Sequence, residues 1–377
     1  MNSEPLKFFL IAGEPSGDLH GGKLIHAMKK IYPNSTFMGH GGNAMKEAGM
    51  QILEHTDDLA IMGFIEVIKH LPRMMKIMGK TIDTISRTKP DRIILIDYPG
   101  FNLRLAKRIQ HLKIPITYFI LPQVWAWKEK RVETMKAVLD QTLSIFPFEQ
   151  DWFESRGLQT NYVGHPFAEQ EHLDESSKDF YQRHDITIEH PLLVLLPGSR
   201  QQEVDRHWPI FLKTVEKLKE SNSLIQVMVG KAPNVSLSPI PNDFKVEENA
   251  RKAMVAGTVA IVSSGTATLE CAVEDTAMVV CYKLSTISWW MANNMASVKY
   301  ASMVNLIADE NIVPEFLQQN MTEENLVKSV IPLLNSKSIE RKKMLSGFDR
   351  VRRTLGMPGV YDRASESIIS KTIVEHE

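Results

Sequence analysis

Cysteine is almost missing from this chain: Cys271 and Cys281 are the two in 377 residues. Two cysteines give no disulfide framework and suit a reducing compartment. Long apolar runs are missing too. Nothing approaches the roughly 18 residues of a membrane span, and the apolar run 7–12 is too brief for a secretory leader. Net charge is close to nil, −1 from 44 basic and 45 acidic residues, so no global pull toward nucleic acid is expected. His-Glu-x-x-His, paired Cys-x-x-Cys and Asp-x-Asp do not occur. That removes the usual ligand sets for zinc and for a nucleotide-bound metal, and neither a metal nor a cofactor is expected. Repeats and low-complexity tracts are absent as well.

What is present is ordinary globular material, 43% hydrophobic and 24% charged, with length enough for two cored domains. Short, continuously apolar segments alternate with helical ones, as buried parallel strands and their crossover helices do. Strands are expected at 7–12, 36–39, 92–97, 116–120, 143–146 and 162–163. The pattern restarts at Leu192, with strands at 192–196, 225–229, 259–263 and 278–282. Helices are expected at 22–32, 102–112, 208–219, 266–273 and 322–335. The fold class is therefore α/β, with a doubly wound parallel sheet in each half. The charged stretch 169–189 reads as a linker plus a solvated helix, and the last thirty residues read as an amphipathic helix.

Three junctions put small residues between an apolar strand and a helix, where free backbone N–H groups meet the positive end of the helix dipole. The first is Gly13-Glu14-Pro15-Ser16-Gly17-Asp18. Glu14, Ser16, Asp18 and His20 are its polar candidates. The stretch Gly17–Leu24 resembles a P-loop, but Leu24 stands where a hydroxyl would hold Mg²⁺. The second junction is Pro197-Gly198-Ser199-Arg200, with an arginine suited to phosphate oxygens and Glu203 placed to orient it or to cap the helix. The third is Ser263-Ser264-Gly265-Thr266, followed by Glu270 one turn later. A carboxylate there suits ribose hydroxyls, or merely favours the dipole. Asp97 ends an apolar strand, where side chains point into the ligand crevice of such sheets. It is a candidate general base, or else a cap for the helix after Pro99. The stretch from Ile61 to Lys80 interleaves Met and other apolar residues with Lys and Arg, and Pro72 is expected to split it into two short helices. It reads as ordinary core or as a surface for an anionic bilayer and acyl chains. Ser288-Trp289-Trp290-Met291 is a second candidate for such contact.

The ordered set of these motifs resembles the lipid-A-disaccharide synthases, inverting glycosyltransferases of the GT-B fold. It comprises Ala12-Gly13-Glu14-Pro15-Ser16-Gly17-Asp18, Ile96-Asp97-Tyr98-Pro99-Gly100-Phe101-Asn102, Pro122-Gln123-Val124-Trp125-Ala126-Trp127, Val163-Gly164-His165-Pro166, Leu196-Pro197-Gly198-Ser199-Arg200, Ser264-Gly265-Thr266-Ala267-Thr268-Leu269-Glu270 and Val304-Asn305-Leu306-Ile307-Ala308. The resemblance implies two Rossmann-like domains facing a cleft. The boundaries expected are 1–168 for an acceptor and membrane domain, 186–347 for a UDP-sugar domain, and 348–377 for a helical tail that packs on an N-terminal domain. It also implies UDP-2,3-diacylglucosamine as donor and 2,3-diacylglucosamine 1-phosphate as acceptor, joined β-1,6 with release of UDP. The catalytic candidates are Asp97, Glu14 and Asp18. The substrate-binding candidates are Gly13, Ser16, His20, Ser199, Arg200, Gly265, Thr266, Glu270 and Asn305. The enzyme is expected on the cytoplasmic face of the inner membrane, held there through Ile61–Lys80, with a homodimer exchanging its C-terminal tail. Other UDP-sugar transferases or epimerases, and a regulatory sugar-nucleotide module, are the rivals. Neither rival class needs both Asp97 and an apolar lining.

Overall fold

The computed structural model describes residues 5–59, 64–169, 173, 175–233, 235–285 and 299–376. The chain forms two compact units, Met1–Glu169 with Met357–Glu377, and Gln170–Gly356.

In the first unit the strands are β1 (Lys7–Ala12), β2 (Thr36–Gly41), β3 (Gln51–His55), β4 (Arg92–Ile96), β5 (Ile116–Phe119), β6 (Gln141–Ser144) and β7 (Asn161–Tyr162). Between them run α1 (Pro15–Ile31), α2 (Asn43–Glu47), α3 (Thr56–Leu59), α4 (Phe64–Thr88), α5 (Pro99–Ile109), α6 (Arg131–Val138) and α7 (Glu149–Glu154). The sheet order is β3-β2-β1-β4-β5-β6-β7, and every pairing is parallel. Right-handed crossovers place helices on both faces of such a sheet, which is why the central strand β4 is buried throughout. The order reverses between β1 and β4, whose register sets Ala12 beside Ile96.

The second unit contains α8 (Ser177–Arg183), β8 (Leu192–Leu196), α9 (Gln201–Ser221), β9 (Gln226–Gly230), β10 (Phe244–Glu247), α10 (Ala250–Ala256), β11 (Val259–Ser263), α11 (Thr266–Val273), β12 (Ala277–Tyr282), α12 (Met303–Ala308), β13 (Glu315–Leu317), α13 (Glu323–Leu334) and α14 (Ile339–Thr354). Its strands also run parallel, in the order β10-β9-β8-β11-β12-β13. Here the reversal falls between β8 and β11, with Leu196 beside Val262. Three strands went unexpected: β3, β10 and β13. Each lies at or next to a sheet edge and is only partly buried, so its sequence has no continuous apolar run to betray it.

Two boundaries differ from the expected ones. The stretch around α8 is part of the second unit. Phe180 is buried, Arg183 pairs with Glu247 at 2.7 Å, and Lys252 reaches Glu175 at 3.0 Å. The C-terminal tail starts at Met357, not at 348, because Phe348, Val351 and Leu355 are buried and Arg352 pairs with Asp275. The final helix, α15 (Val360–His376), packs on α1 of the same chain and buries Val360, Tyr361, Ala364, Ile368 and Ile369. Its polar side is tied down as well. The wholly buried Arg92 donates to Thr372 Oγ1 at 2.7 Å, and Gln141 Nε2 donates to the Ser367 carbonyl at 3.1 Å.

The segment from Ile61 to Lys80 is also corrected. α4 runs unbroken from Phe64 to Thr88 with Pro72 inside it. Ile77 and Met78 are core residues and Met74 packs against the same core, so the helix continues on its apolar face despite the bond that proline removes. Met75 is the exposed apolar side chain, at 48%. Residues 60–63, the side chains of 64–71, and Trp289 with Trp290 lie outside the described residues.

Candidate active site

In doubly wound sheets, ligands bind at the carboxyl ends of the strands where the strand order reverses. Each unit has one such point, and each is built differently.

In the first unit the point lies between the turn after β1 and the turn after β4. Asp97 and Tyr98 both have left-handed backbones, with φ of 42° and 50°. Two successive non-glycine residues in this region are strained. The strain is held by hydrogen bonds to the Asp97 carbonyl, from the Tyr118 hydroxyl at 2.5 Å and from Asn102 Nδ2 at 2.7 Å. The Tyr98 hydroxyl donates to the Leu59 carbonyl at 3.0 Å, and its ring stacks on Phe101. That ring fills the space in front of Gly13, where a Cβ would lie 2.3 Å from it. Glycine at 13 is thus required by tyrosine packing.

The Asp97 carboxylate takes no side-chain partner among the described residues. Burial and then the neighbouring Glu14 carboxylate push its pKa up to about 6, against the Tyr98 N–H bond. Glu14 sits at the N-cap of α1 without a capping bond of its own, and Ser16 is exposed in the first turn. Behind them, Glu149 is wholly buried and accepts from Trp125 Nε1 at 2.9 Å. Burial pushes its pKa up to about 8 despite that bond. Tyr118 and Glu149 drew no attention in the sequence, because a tyrosine inside a strand and a glutamate opening a helix look ordinary.

In the second unit the point lies between the turn after β8 and the turn after β11. Arg200 is the N-cap of α9, and its exposed guanidinium contacts Glu203 Oε1 at 3.3 Å. Glu203 is held in turn by the Tyr282 hydroxyl at 3.0 Å. His207, wholly buried, fixes the loop from beneath. Its Nδ1 lies 2.8 Å from the Pro197 carbonyl, and its Nε2 accepts from the Lys283 N–H at 3.0 Å. Burial lowers its pKa, in keeping with a neutral ring whose tautomer those two bonds fix. Ser199 is exposed beside Arg200. At the neighbouring turn Gly265 has φ 156° and nothing within 4 Å of where a Cβ would be. Glycine is therefore favoured by backbone conformation, and the tip of α11 is open. Gly265 and Thr266 are exposed while Glu270 is half-buried. Burial raises the Glu270 pKa, Arg251 opposes, and Glu274 adds to the rise. Its carboxylate has no hydrogen-bond partner among the described residues.

Each unit thus has its own point, the first with a partly desolvated carboxylate and the second with a presented arginine. Residues 8–355 match the lipid-A-disaccharide synthetase family. The chain belongs to that family. It is a glycosyltransferase of lipid A disaccharide formation. It is 35% identical to the lipid-A-disaccharide synthase of Myxococcus xanthus, with 97% of this chain and 98% of that protein covered. It is 34% identical to that of Nitrosococcus oceani, with 94% and 93% covered. Among solved structures, the glycotransferase of kitacinnamycin superposes with a TM-score of 0.65 at 14% identity, covering 98% of this chain and 100% of the other. The UDP-GlcNAc 2-epimerase from Neisseria meningitidis bound to UDP-GlcNAc gives 0.60 at 9%, with 98% and 100% covered. At those identities the likeness is one of fold, the expected GT-B class.

The synthase candidates named from sequence sort into two groups. Gly13, Glu14, Ser16 and Asp97 converge on the first point. Ser199 and Arg200 stand on one side of the second, with Gly265, Thr266 and Glu270 on the other. Three candidates are engaged by the fold itself. Asp18 is buried and accepts from the backbone N–H groups of Gly42, Ala44 and Met45 at 2.6, 3.0 and 3.0 Å. It caps α2 and is not free to take a substrate proton. His20 contacts the Tyr361 hydroxyl through Nδ1 at 2.8 Å, which ties α1 to the C-terminal helix. Burial and then Lys23 lower its pKa to about 4. Asn305 is buried and saturated. Its Nδ2 donates to the Val313 carbonyl and to Glu315 Oε1, both at 2.8 Å, and its Oδ1 accepts from the N–H groups of Ile312 and Val313. It shapes the loop before β13. The described residues contain no group of three His, Cys, Asp or Glu placed to hold a metal.

Stability separates the two aspartates. Asp18→Ala leaves three backbone donors without their acceptor and should cost about 2 kcal/mol or more. Asp97 behaves oppositely, because its folded pKa lies above the unfolded value. Folding is penalised as pH rises through the unfolded pKa toward about 6, and the penalty persists above it. Asp97→Asn should therefore stabilise the chain by up to about 2 kcal/mol at pH 8 and by little at pH 4. Urea unfolding at the two pH values reads both, and a destabilised Asp97→Asn at pH 8 would contradict the burial argument.

Proposed function

We propose that the chain transfers the sugar of UDP-2,3-diacylglucosamine to the 6-hydroxyl of 2,3-diacylglucosamine 1-phosphate in one inverting displacement. The observation that carries this reading is the Asp97 carboxylate, pinned by its backbone, partly desolvated, and lacking any side-chain partner among the described residues. A base of this kind, tuned toward neutrality, is what a sugar hydroxyl needs. Asp97 takes the proton of the 6-hydroxyl as its oxygen bonds to the anomeric carbon. The bond from that carbon to the diphosphate breaks on the opposite face, and the electron pair leaves with UDP. Glu14 is the neighbouring carboxylate that keeps Asp97 basic. Arg200, with one of its five donors engaged on Glu203, and the helix starts at Gln201 and Thr266 receive the charge that develops on the diphosphate. They supply that stabilisation without calling on a metal. Glu270 accepts from the ribose hydroxyls, and Ser199 lies against a phosphate oxygen.

Both substrates carry acyl chains, and exposing those to water costs about 0.8 kcal/mol per CH₂. We therefore keep the first unit as the membrane-facing one. Among the described side chains, Met75 and Trp127 are exposed at 48% and 56%, and Lys76 is nearby in sequence to favour anionic headgroups. No helix among the described residues is long and apolar enough to cross a membrane. The contact we propose is peripheral, on the cytoplasmic face of the inner membrane. A dimer exchanging α15 would use the face that this helix already buries, and sedimentation of the intact chain reads that directly.

Asp97→Asn should lower turnover by about 10²–10⁴-fold. In the wild type, kcat/KM should fall as pH drops through about 6, because protonated Asp97 cannot accept the proton. An unshifted acid limb together with near-normal turnover in the variant would remove Asp97 from the base role.

Glu270→Ala should weaken UDP but not pyrophosphate, since its partner is the ribose. Arg200→Ala should weaken both. Calorimetry with the two ligands on the two variants separates the roles, and equal losses in Glu270→Ala would count against ribose contact.

Met75→Ser with Trp127→Ser should weaken co-sedimentation with phosphatidylglycerol vesicles at unchanged melting temperature. Unaltered sedimentation would move the membrane contact to residues 61–71 or to Trp289 and Trp290.

A further inference from the structure

Three cations stand at the carboxyl end of the first sheet without an acidic partner among the described residues: Arg104, Lys128 and Arg131. Arg104 is exposed on α5, the helix that starts beside Asp97. Lys128 is exposed in the loop after β5, with a left-handed backbone at φ 82°. Arg131 is half-buried at the first position of α6. α5 packs against α6, and the Arg131 N–H bonds back to the Lys128 carbonyl at 2.9 Å, which sets Lys128 in the turn that opens α6. The acids close to them in sequence are engaged elsewhere. Glu129 pairs with Arg156 at 2.7 Å, and Glu133 pairs with Lys136 at 3.2 Å.

The cations act on one another. The Lys128 ammonium is held below its ordinary pKa by Arg131 first, then by burial, then by Arg104. Like charges kept side by side repel, and an anion set among them relieves the repulsion while accepting charge-assisted hydrogen bonds. Two further observations define that anion. Trp127, 56% exposed, adjoins Lys128 in the chain and offers an apolar face beside the charge. Arg131 also acts on the Tyr118 hydroxyl, the group that donates to the Asp97 carbonyl. α5, which carries Arg104, begins two residues after Asp97, so that part of the cluster stands on the helix that leaves the candidate base.

We infer that Arg104, Lys128 and Arg131 bind a phosphate monoester on an amphiphilic sugar, namely the 1-phosphate of the acceptor, an inference that rests on the reaction proposed above. The 1-phosphate stands on C1 and the 6-hydroxyl on the arm at C5, two carbons that both flank the ring oxygen. Anchoring the phosphate on α5 and α6 therefore holds that side of the ring, and with it the 6-hydroxyl, toward Asp97. The cluster thereby selects both the acceptor and the hydroxyl that reacts. Arginine suits the task because its planar fork engages two phosphate oxygens at once.

The test compares the full-length wild type with Arg104→Gln/Lys128→Gln and with Arg131→Gln. Two acceptors are used, 2,3-diacylglucosamine 1-phosphate and the same sugar lacking phosphate. The exposed pair keeps the test alive if Arg131→Gln disturbs α6, and thermal melting checks the fold of each variant. The wild type should prefer the phosphorylated acceptor. The variants should raise its KM by about tenfold or more, the worth of one hydrogen bond to a charged group, with UDP affinity unchanged and the preference reduced. A preference left intact in folded variants overturns the inference. So does loss of binding to phosphatidylglycerol vesicles with intact preference, which would assign the cations to lipid headgroups. If the wild type transfers to neither acceptor, the proposed reaction fails. Calorimetry with glucosamine 1-phosphate against glucosamine then decides the cluster by itself: weaker binding of the phosphate in the variants supports it, and equal binding overturns it.

Discussion

The carbonyl of Asp97 accepts hydrogen bonds from Tyr118 and Asn102, and the chemistry of the first unit hangs on that fixed point. Two left-handed residues in succession are not a conformation that a chain keeps unaided. Here the backbone is fastened from the neighbouring strand and from the helix that follows. The carboxylate itself is left without a side-chain bond to a neighbour. The Tyr98 ring swings over Gly13 and is anchored at Leu59, which brings the turns after β1 and β4 together. Burial and the nearby Glu14 then do the rest, raising the Asp97 pKa to about 6.

On the proposed reading, the second unit solves a different problem with the same topology: a departing diphosphate needs positive potential, not a base. The turn after β8 presents Arg200, backed through hydrogen bonds by Glu203 and Tyr282, while His207 holds Pro197 and Lys283 beneath it. The turn after β11 presents open backbone at Gly265. Asn305 and Asp18, by contrast, are satisfied internally. Two kinds of polar residue thus emerge: those bonded to the fold, and those the fold holds out.

The C-terminal helix explains why the ends of the chain belong to one body. A buried arginine is costly unless its donors are met. Arg92 is met by Thr117 and, from α15, by Thr372. His20 and Tyr361 close the same contact at the other end of that helix. The helix is therefore part of the first unit, and His20 serves the fold there.

By itself the sequence determined the class of fold, the family, and the carboxyl-end turns. Continuous apolar strands such as Leu192–Leu196, followed by small residues and a helix, leave a local signature, because burial on both faces and a tight turn are each set within a few neighbouring positions. The junctions that carry Asp97, Arg200 and Glu270 were legible for that reason. The edge strands, the course of α4 through Pro72, and the unit to which α8 and the tail belong were decided only by packing partners distant in the chain. So were the roles of Asp18, His20 and Asn305. A carboxylate, an imidazole or an amide at a turn looks the same in sequence whether it faces a ligand or a row of backbone N–H groups. Only the tertiary structure brings Gly42 to Asp18, Tyr361 to His20 and Val313 to Asn305, because hydrogen-bond satisfaction depends on what the fold places within about 3 Å of each polar atom.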